Sequence, residues 1–216
     1  MPLDQKIRPR PADAPQVVYV VDDSPDILDV VQILLKSVNL KVRTFVSGEE
    51  FLSKVDHTAR GCLLLDVRMP GMSGLEVQDA LKAHGVTLPV IFLTGHGEVA
   101  TAVQAMREGA LDFIEKPFQP QLLLDRIHAC LKLDNQINAD QCRKKEAEKR
   151  LRKLSTREYE IAKMIVAGKP SKVIASALAI SESTVDVHRH NIMKKALVQS
   201  VAELIQLWLD TKQGID

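Results

Sequence analysis

The chain has 216 residues, 45% hydrophobic and 26% charged, with a formal net charge of +1, ordinary values for a soluble globular chain of one large or two modest domains. No apolar run approaches the ~20 residues a membrane helix needs. Cys62, Cys130 and Cys142 are odd in number and lack CxxC spacing, which favours reduced thiols in a cytoplasm over disulfides or zinc. The net charge conceals an asymmetry: 14 basic against 17 acidic side chains over 1–132, and 10 against 7 over 151–216. Two domains with different partners fit that pattern.

The first 15 residues, MPLDQKIRPRPADAP, hold four prolines and no apolar h-region; they read as a flexible arm and not as a secretory signal. From residue 16 short apolar runs alternate with amphipathic stretches. VVYVV (17–21) is a strand. It precedes a helix with Ser24 as N-cap, Pro25 in the first position and a stripe of Ile27, Val30, Val31, Leu34, Leu35 and Val38. VRTF (42–45) alternates as an edge strand does; CLLL (62–65) and VIFL (90–93) are buried strands. Val99, Val103 and Met106 form another helical stripe, DFI (112–114) is a short fifth strand, and Leu123, Ile127, Cys130 and Leu131 form a third stripe. Strictly alternating strand and helix predicts an α/β domain with a parallel sheet covered on both faces.

Residues 133–152 are polar and rich in helix formers, and read as a solvated helical spacer. A heptad-like series runs through Leu133, Ile137, Asp140, Lys144, Ala147, Leu151 and Leu154, but Asp140 and Lys144 interrupt it as a coiled-coil seam. Residues 153–216 read as four short helices. Ser155 with Glu158, and Ser200 with Glu203, are capping boxes, and Gly168 ends the first helix. SKVIASAL (171–178), a tight turn at AIS, and ESTVDVHRHNIMKKA (182–196) form a helix-turn-helix pattern.

LLLDVRMPGMSG (63–74) delivers a carboxylate, Asp66, from an apolar strand into a Pro- and Gly-rich loop, although an unpaired buried carboxylate is costly. The other strands end on Asp22 and Asp23, on Thr94, and on Lys116 before Pro117. A parallel sheet gathers such ends, where ligands bind. Three carboxylates in one pocket call for a cation, and an all-oxygen set suits Mg²⁺. With Thr94 and Lys116 available to phosphoryl oxygens, the site reads as phosphoryl transfer with Asp66 as nucleophile.

VVDD, LLLDVRMPGMSG, FLTGHG and DFIEKPF, in that order and spacing over 16–131, resemble the receiver domain of two-component response regulators. LSTRE, KVIASALAISESTVDVHRHNIM and SVAEL resemble the LuxR-type helix-turn-helix, so the whole chain is similar to FixJ-type members of the NarL/LuxR group. The resemblance implies a flavodoxin-like, doubly wound five-stranded receiver over 16–132, a linker over 133–152 and a four-helix DNA-binding domain over 153–216. It implies that Asp66 takes phosphate from a cognate histidine kinase. Mg²⁺ would be held by Asp22, Asp23, Asp66 and the main-chain carbonyl of Arg68. It makes Phe113 the switch aromatic beside Thr94, and Arg68 and His96 the residues that gate hydrolytic water. It implies a cis bond before Pro117, a homodimer on phosphorylation through the face of Val99, Val103, Met106, Phe113 and Leu122, and promoter DNA and RNA polymerase as partners in a cytoplasm. Enzymatic turnover would be limited to slow self-dephosphorylation. Haloacid-dehalogenase phosphatases share the aspartate nucleophile but carry an Asp two residues after it, where this chain has Arg68.

In the third of the four C-terminal helices, Val185, His188 and Ile192 share one face and are expected to pack inward. That leaves Thr184, Val187, Arg189, His190, Asn191 and Lys194 for the DNA groove and its phosphates, with Lys169, Lys172 and Lys195 as phosphate contacts. Three positions depart from the family pattern. Asp186 stands where many members have Lys, and either accepts from cytosine N4 or repels phosphate. Ala196 replaces a large aliphatic residue and Leu197 replaces glycine; Leu197 turning inward would fill the gap. A protein-interaction module that no longer binds DNA is the rival reading these positions support.

Overall fold

The structure, a computed structural model, describes residues 14–95 and 111–212. The chain divides into two compact units, Met1–Asn138 and Ala139–Asp216. In the first, β1 (Val17–Val21), β2 (Val42–Phe45), β3 (Gly61–Asp66), β4 (Val90–Thr94) and β5 (Asp112–Glu115) form a wholly parallel sheet in the order β2-β1-β3-β4-β5. All five expected strands are present, with VRTF at an edge. The central strand β3 is buried at every residue, since both faces of a parallel sheet are covered. Successive side chains enter opposite cores. Tyr19, Val21, Leu63 and Leu65 join Phe45, Phe51 and Phe92 on one face. Val18, Val20, Cys62 and Leu64 join Leu28, Val31, Leu35 and Ile127 on the other. A slip of one residue would exchange these sets, which fixes the register.

The helices of this unit are α1 (Pro25–Ser37), α2 (Gly48–Lys54), α3 (Gly74–Ala83) and the start of α4 (Pro120–Leu151). The stripe expected on α1 needs correction: Leu28, Val31 and Leu35 are its buried residues, whereas Val30 and Val38 are exposed. Val30 lies two residues, about 200°, round from Leu28, and Val38 is already the cap. Ser24 precedes the helix in extended conformation but makes no side-chain cap bond. The helices α2 and α3 were not singled out in the sequence; both begin on glycine after a serine cap. Ser47 accepts from the Glu50 amide and Ser73 from the Glu76 amide. The stripe of Val99, Val103 and Met106 lies outside the described residues.

The helix α4 spans 32 residues. Leu123, Ile127, Cys130 and Leu131 are buried against the sheet as expected. The longest run of the predicted solvated spacer without a buried residue is 139–146. Before it, Asp134 is fully buried and pairs with Arg60 at 3.1 Å, while Gln16 donates to the same carboxylate at 2.9 Å. After it, Ala147 and Leu151 belong to the second core.

That second unit holds α5 (Thr156–Val166), α6 (Ser171–Leu178), α7 (Glu182–Ala196) and α8 (Val201–Lys212), the four expected helices. The Ser155–Glu158 capping box is complete. At α8 the Ser200 hydroxyl accepts from the Glu203 amide, but Glu203 reaches back to the Gln199 amide. Gly168, at φ +77°, ends α5 as expected, and Ala179, at φ +53°, makes the turn between α6 and α7. The core holds Ile161, Ile165, Ile174, Val185, Ile192, Leu204 and Trp208. No described helix is long and apolar enough to cross a membrane.

Candidate acidic site and nucleic-acid interface

Parallel pairing carries the ends of β1, β3 and β4 to one edge of the sheet, and Asp22, Asp66 and Thr94 stand there. Gly74 lets α3 start directly beneath this edge: a Cβ there would lie 2.2 Å from the Asp66 carbonyl oxygen and 3.1 Å from the Phe92 ring. Asp22 and Asp66 are buried and Asp23 is exposed. Carboxylate oxygens of the three lie within 4.8 Å of one another. Lys116 bridges two of them, donating to Asp22 Oδ2 at 2.6 Å and to Asp66 Oδ2 at 2.8 Å. The other oxygens are held by main chain: Ser24 N donates to Asp22 Oδ1 at 3.0 Å, and Arg68 N to Asp66 Oδ1 at 3.3 Å.

Burial pushes the Asp66 carboxyl above its usual range; Lys116 draws it back only in part, and the charge of Asp22 adds to the rise. Burial alone would lower Lys116, but its bonds to Asp22 and Asp66 outweigh that and raise it. Three carboxylates facing one ammonium leave a local charge of −2, which a divalent cation matches. The donors are all oxygen, the preference of a hard ion such as Mg²⁺. Thr94 is buried, and its carbonyl accepts the Lys116 amide at 2.8 Å. The Lys116–Pro117 bond is cis, as expected. Phe113 and Leu122 are 42% and 41% exposed. Arg68 is exposed beside the pocket, and His96 lies outside the described residues.

On α7, Val185 and Ile192 are fully buried. His188 is half-buried, with its Nδ1 shielded and without a hydrogen-bond partner among the described residues. Thr184, Val187, His190 and Lys194 are exposed, as are Lys169 and Lys172, while Arg189 and Asn191 are partly covered. Two expectations change. Lys195 donates to both oxygens of buried Glu158 at 2.8 and 2.7 Å, so its ammonium braces α5 against α7 instead of standing free for a phosphate. Leu197 does not fill the space beside Ala196: it is 62% exposed at φ +55°, and Val198 is buried instead. Asp186 accepts from Ser171 Oγ at 3.1 Å, a link between α6 and α7 that the sequence reading did not include. The Ser155–Glu158 box is visible in the sequence; the bridge from Glu158 to Lys195 and the bond from Ser171 to Asp186 are not.

Comparison with known proteins covers both units. Residues 18–128 match the response regulator receiver domain family and residues 152–208 the family of bacterial regulatory proteins, luxR family. The chain is 42% identical over 205 residues to the response regulator protein TodT of Pseudomonas putida, covering 95% of this chain and 90% of the relative. It is 39% identical over 192 residues to the transcriptional regulatory protein FixJ of Azorhizobium caulinodans, covering 89% and 91%. Among solved structures, the response regulator StyR superposes with a TM-score of 0.80 at 39% identity, covering 91% of this chain and 99% of that one. Full-length FixJ from B. japonicum superposes with 0.56 at 32% identity, covering 93% and 98%.

Proposed function

This chain belongs to the response regulators that join a receiver to a LuxR-type DNA-binding domain, and on that premise we propose that Asp66 accepts the phosphoryl group of a histidine kinase. An Asp66 oxygen attacks phosphorus; the O–P bond forms as the N–P bond to the donor imidazole breaks, leaving an acyl phosphate. Asp22, Asp23, Asp66 and the Arg68 carbonyl would hold Mg²⁺, which when bound neutralises charge on the transferring oxygens. Lys116 carries this reading, because it already binds the carboxylate proposed to react, at 2.8 Å from Asp66 Oδ2. Phosphorylation takes the charge at that position from −1 to about −2, so the attraction on Lys116 grows. The Thr94 hydroxyl takes another phosphoryl oxygen, and Phe113 turns inward behind it. Arg68 and His96 set how fast water removes the phosphate.

Phosphorylated chains then pair through the face of Phe113 and Leu122 with Val99, Val103 and Met106, and present α7 to promoter DNA. Val187 and His190 meet base edges with Thr184, Arg189 and Asn191 beside them, and Lys172 and Lys194 meet phosphates. RNA polymerase is the downstream partner, in the cytoplasm. Full-length protein given Mg²⁺ and acetyl phosphate should gain one hydroxylamine-labile phosphate by intact mass, and Asp66→Asn should gain none. Equal phosphate on the Asn variant would reject the assignment.

A further inference from the structure

The loop between β3 and α3 carries Arg68; its start is tied to the sheet edge and its end to its own start. Val67 N donates to Leu93 O at 3.0 Å, and Gly74 N to Val67 O at 3.0 Å. Between these ties the chain runs through Pro70 and through Gly71 at φ +79°. A third tie comes from another element. Glu49, in the first turn of α2, accepts the Met72 amide through Oε1 at 3.1 Å. The same oxygen would lie 2.9 Å from a Cβ on Gly71, so the carboxylate sits against the bare backbone of the turn. Gly48 brings α2 equally close: a Cβ there would lie 2.4 Å from Val77 Cγ2 and 3.5 Å from Met72 Cβ.

The neighbouring Glu50 behaves differently. Its carboxylate accepts the Val46 amide at 3.0 Å and Lys54 at 2.6 Å, and so serves its own helix. Glu49 reaches 23 residues along the chain to a loop it does not need for capping. Its own amide, the Ser47 hydroxyl and the Met72 amide hold its carboxyl below the usual range, so it is a carboxylate acceptor throughout the neutral range.

We infer that Glu49 is a positioning residue for the phosphoryl-acceptor loop: by accepting the Met72 amide it sets the path of residues 68–72, and with it the aim of the Arg68 carbonyl at the cation site. A partner that orients a metal ligand typically changes metal affinity when removed. Glu49 is exposed and acts four residues from the ligand, so its effect is smaller than the roughly ten- to hundredfold of a direct partner. The inference rests on the reading of Asp66 and Arg68 above, but the contact itself is tested without cation or phosphate.

Amide exchange on the metal-free full-length protein should accelerate at Met72 roughly tenfold in Glu49→Ala, with the Gly74 amide unchanged. Glu49→Gln keeps a carbonyl acceptor and should restore most of the protection. Mg²⁺ alone, followed by amide shifts of Arg68 and Met72, should bind Glu49→Ala about three- to tenfold more weakly and Glu49→Gln nearly as wild type. Phosphorylation by acetyl phosphate should slow in Glu49→Ala at limiting Mg²⁺ and recover at saturation. Unchanged Met72 exchange overturns the contact, and faster exchange with wild-type Mg²⁺ affinity overturns the positioning role. Equal weakening in both variants while Met72 stays protected in Glu49→Gln assigns the effect to charge, and also overturns it. Should the wild type neither bind Mg²⁺ nor take phosphate, the acceptor reading fails while the Met72 result stands.

Discussion

Glu158 is buried in the C-terminal unit with two partners, the Ser155 amide at 2.7 Å and the Lys195 ammonium. Lys195 first, and the Ser155 amide and hydroxyl after it, hold its carboxyl below the usual range against the opposing effect of burial. A carboxylate depressed on folding contributes stability above its unfolded value of about 4.3 and loses it as pH falls through the folded value. The bridge therefore acts in full at neutral pH. Lys195→Ala leaves Glu158 without its strongest partner and should cost about 1–3 kcal/mol at pH 7. The single tryptophan, Trp208, is buried in this unit, so its fluorescence in urea reports the loss directly. The difference between wild type and variant should shrink as pH drops below about 4. Unchanged stability together with a flatter salt dependence of DNA binding would return Lys195 to a phosphate. The contrast with the acidic site explains what single letters reveal. Asp22, Asp66 and Thr94 were legible because a parallel sheet must collect its strand ends, whatever the loops do. Glu158–Lys195, Ser171–Asp186 and Glu49–Met72 depend on how separate elements meet, and no local spacing encodes that.

The end of α7 shows an element settling a conflict between packing and backbone. Leu197 takes φ +55° and donates its amide to Lys194 O, while Val198 N donates to Met193 O at 3.0 Å. These bonds satisfy the last carbonyls of the helix, but a left-handed non-glycine residue costs about 1–2 kcal/mol. With the side chain 62% exposed, little burial offsets that strain. Leu197→Gly should raise stability by about 0.5–1 kcal/mol net of the extra chain entropy of glycine, read as a higher urea midpoint for Trp208. A lower midpoint would mean the leucine contributes packing after all. Elements were legible where an apolar run or stripe stood between clear turn or cap signals, as in the buried strands and the four C-terminal helices. On α1 the apolar stripe is wider than the face that meets the sheet, because Val30 and Val38 are apolar yet exposed. The short helices α2 and α3 were missed because each opens on glycine, a poor helix former. Their visible signal was Ser followed three residues later by Glu, at 47–50 and 73–76. The polar run after Leu133 looked solvated because Asp134 is charged, and its burial makes sense only beside Arg60.

For the whole molecule, the phosphate proposed on Asp66 can change what α7 does on DNA only through a difference in affinity between two states. The exposed Phe113 and Leu122 are the described part of the surface proposed to pair once Thr94 engages the phosphate. Thr94→Ala should then accept phosphate yet stay monomeric in sedimentation, whereas the phosphorylated wild type dimerises. Equal monomers for phosphorylated and free wild type would end this route. A two-fold dimer presents two copies of α7, so its operator should be an imperfect palindrome with half-sites about one helical turn or a multiple apart. Within each half-site the two exposed side chains His190 and Lys172 separate the two kinds of contact. His190→Ala should lose about 1–3 kcal/mol of discrimination at one base pair and leave the salt dependence alone. Lys172→Ala should weaken every sequence alike and reduce the slope of log K against log salt by about 0.9, one phosphate's worth of released counterion. If titrations across salt give parallel slopes for wild type and Lys172→Ala, α6 does not touch the backbone there, and the orientation proposed for α7 in the groove must be abandoned.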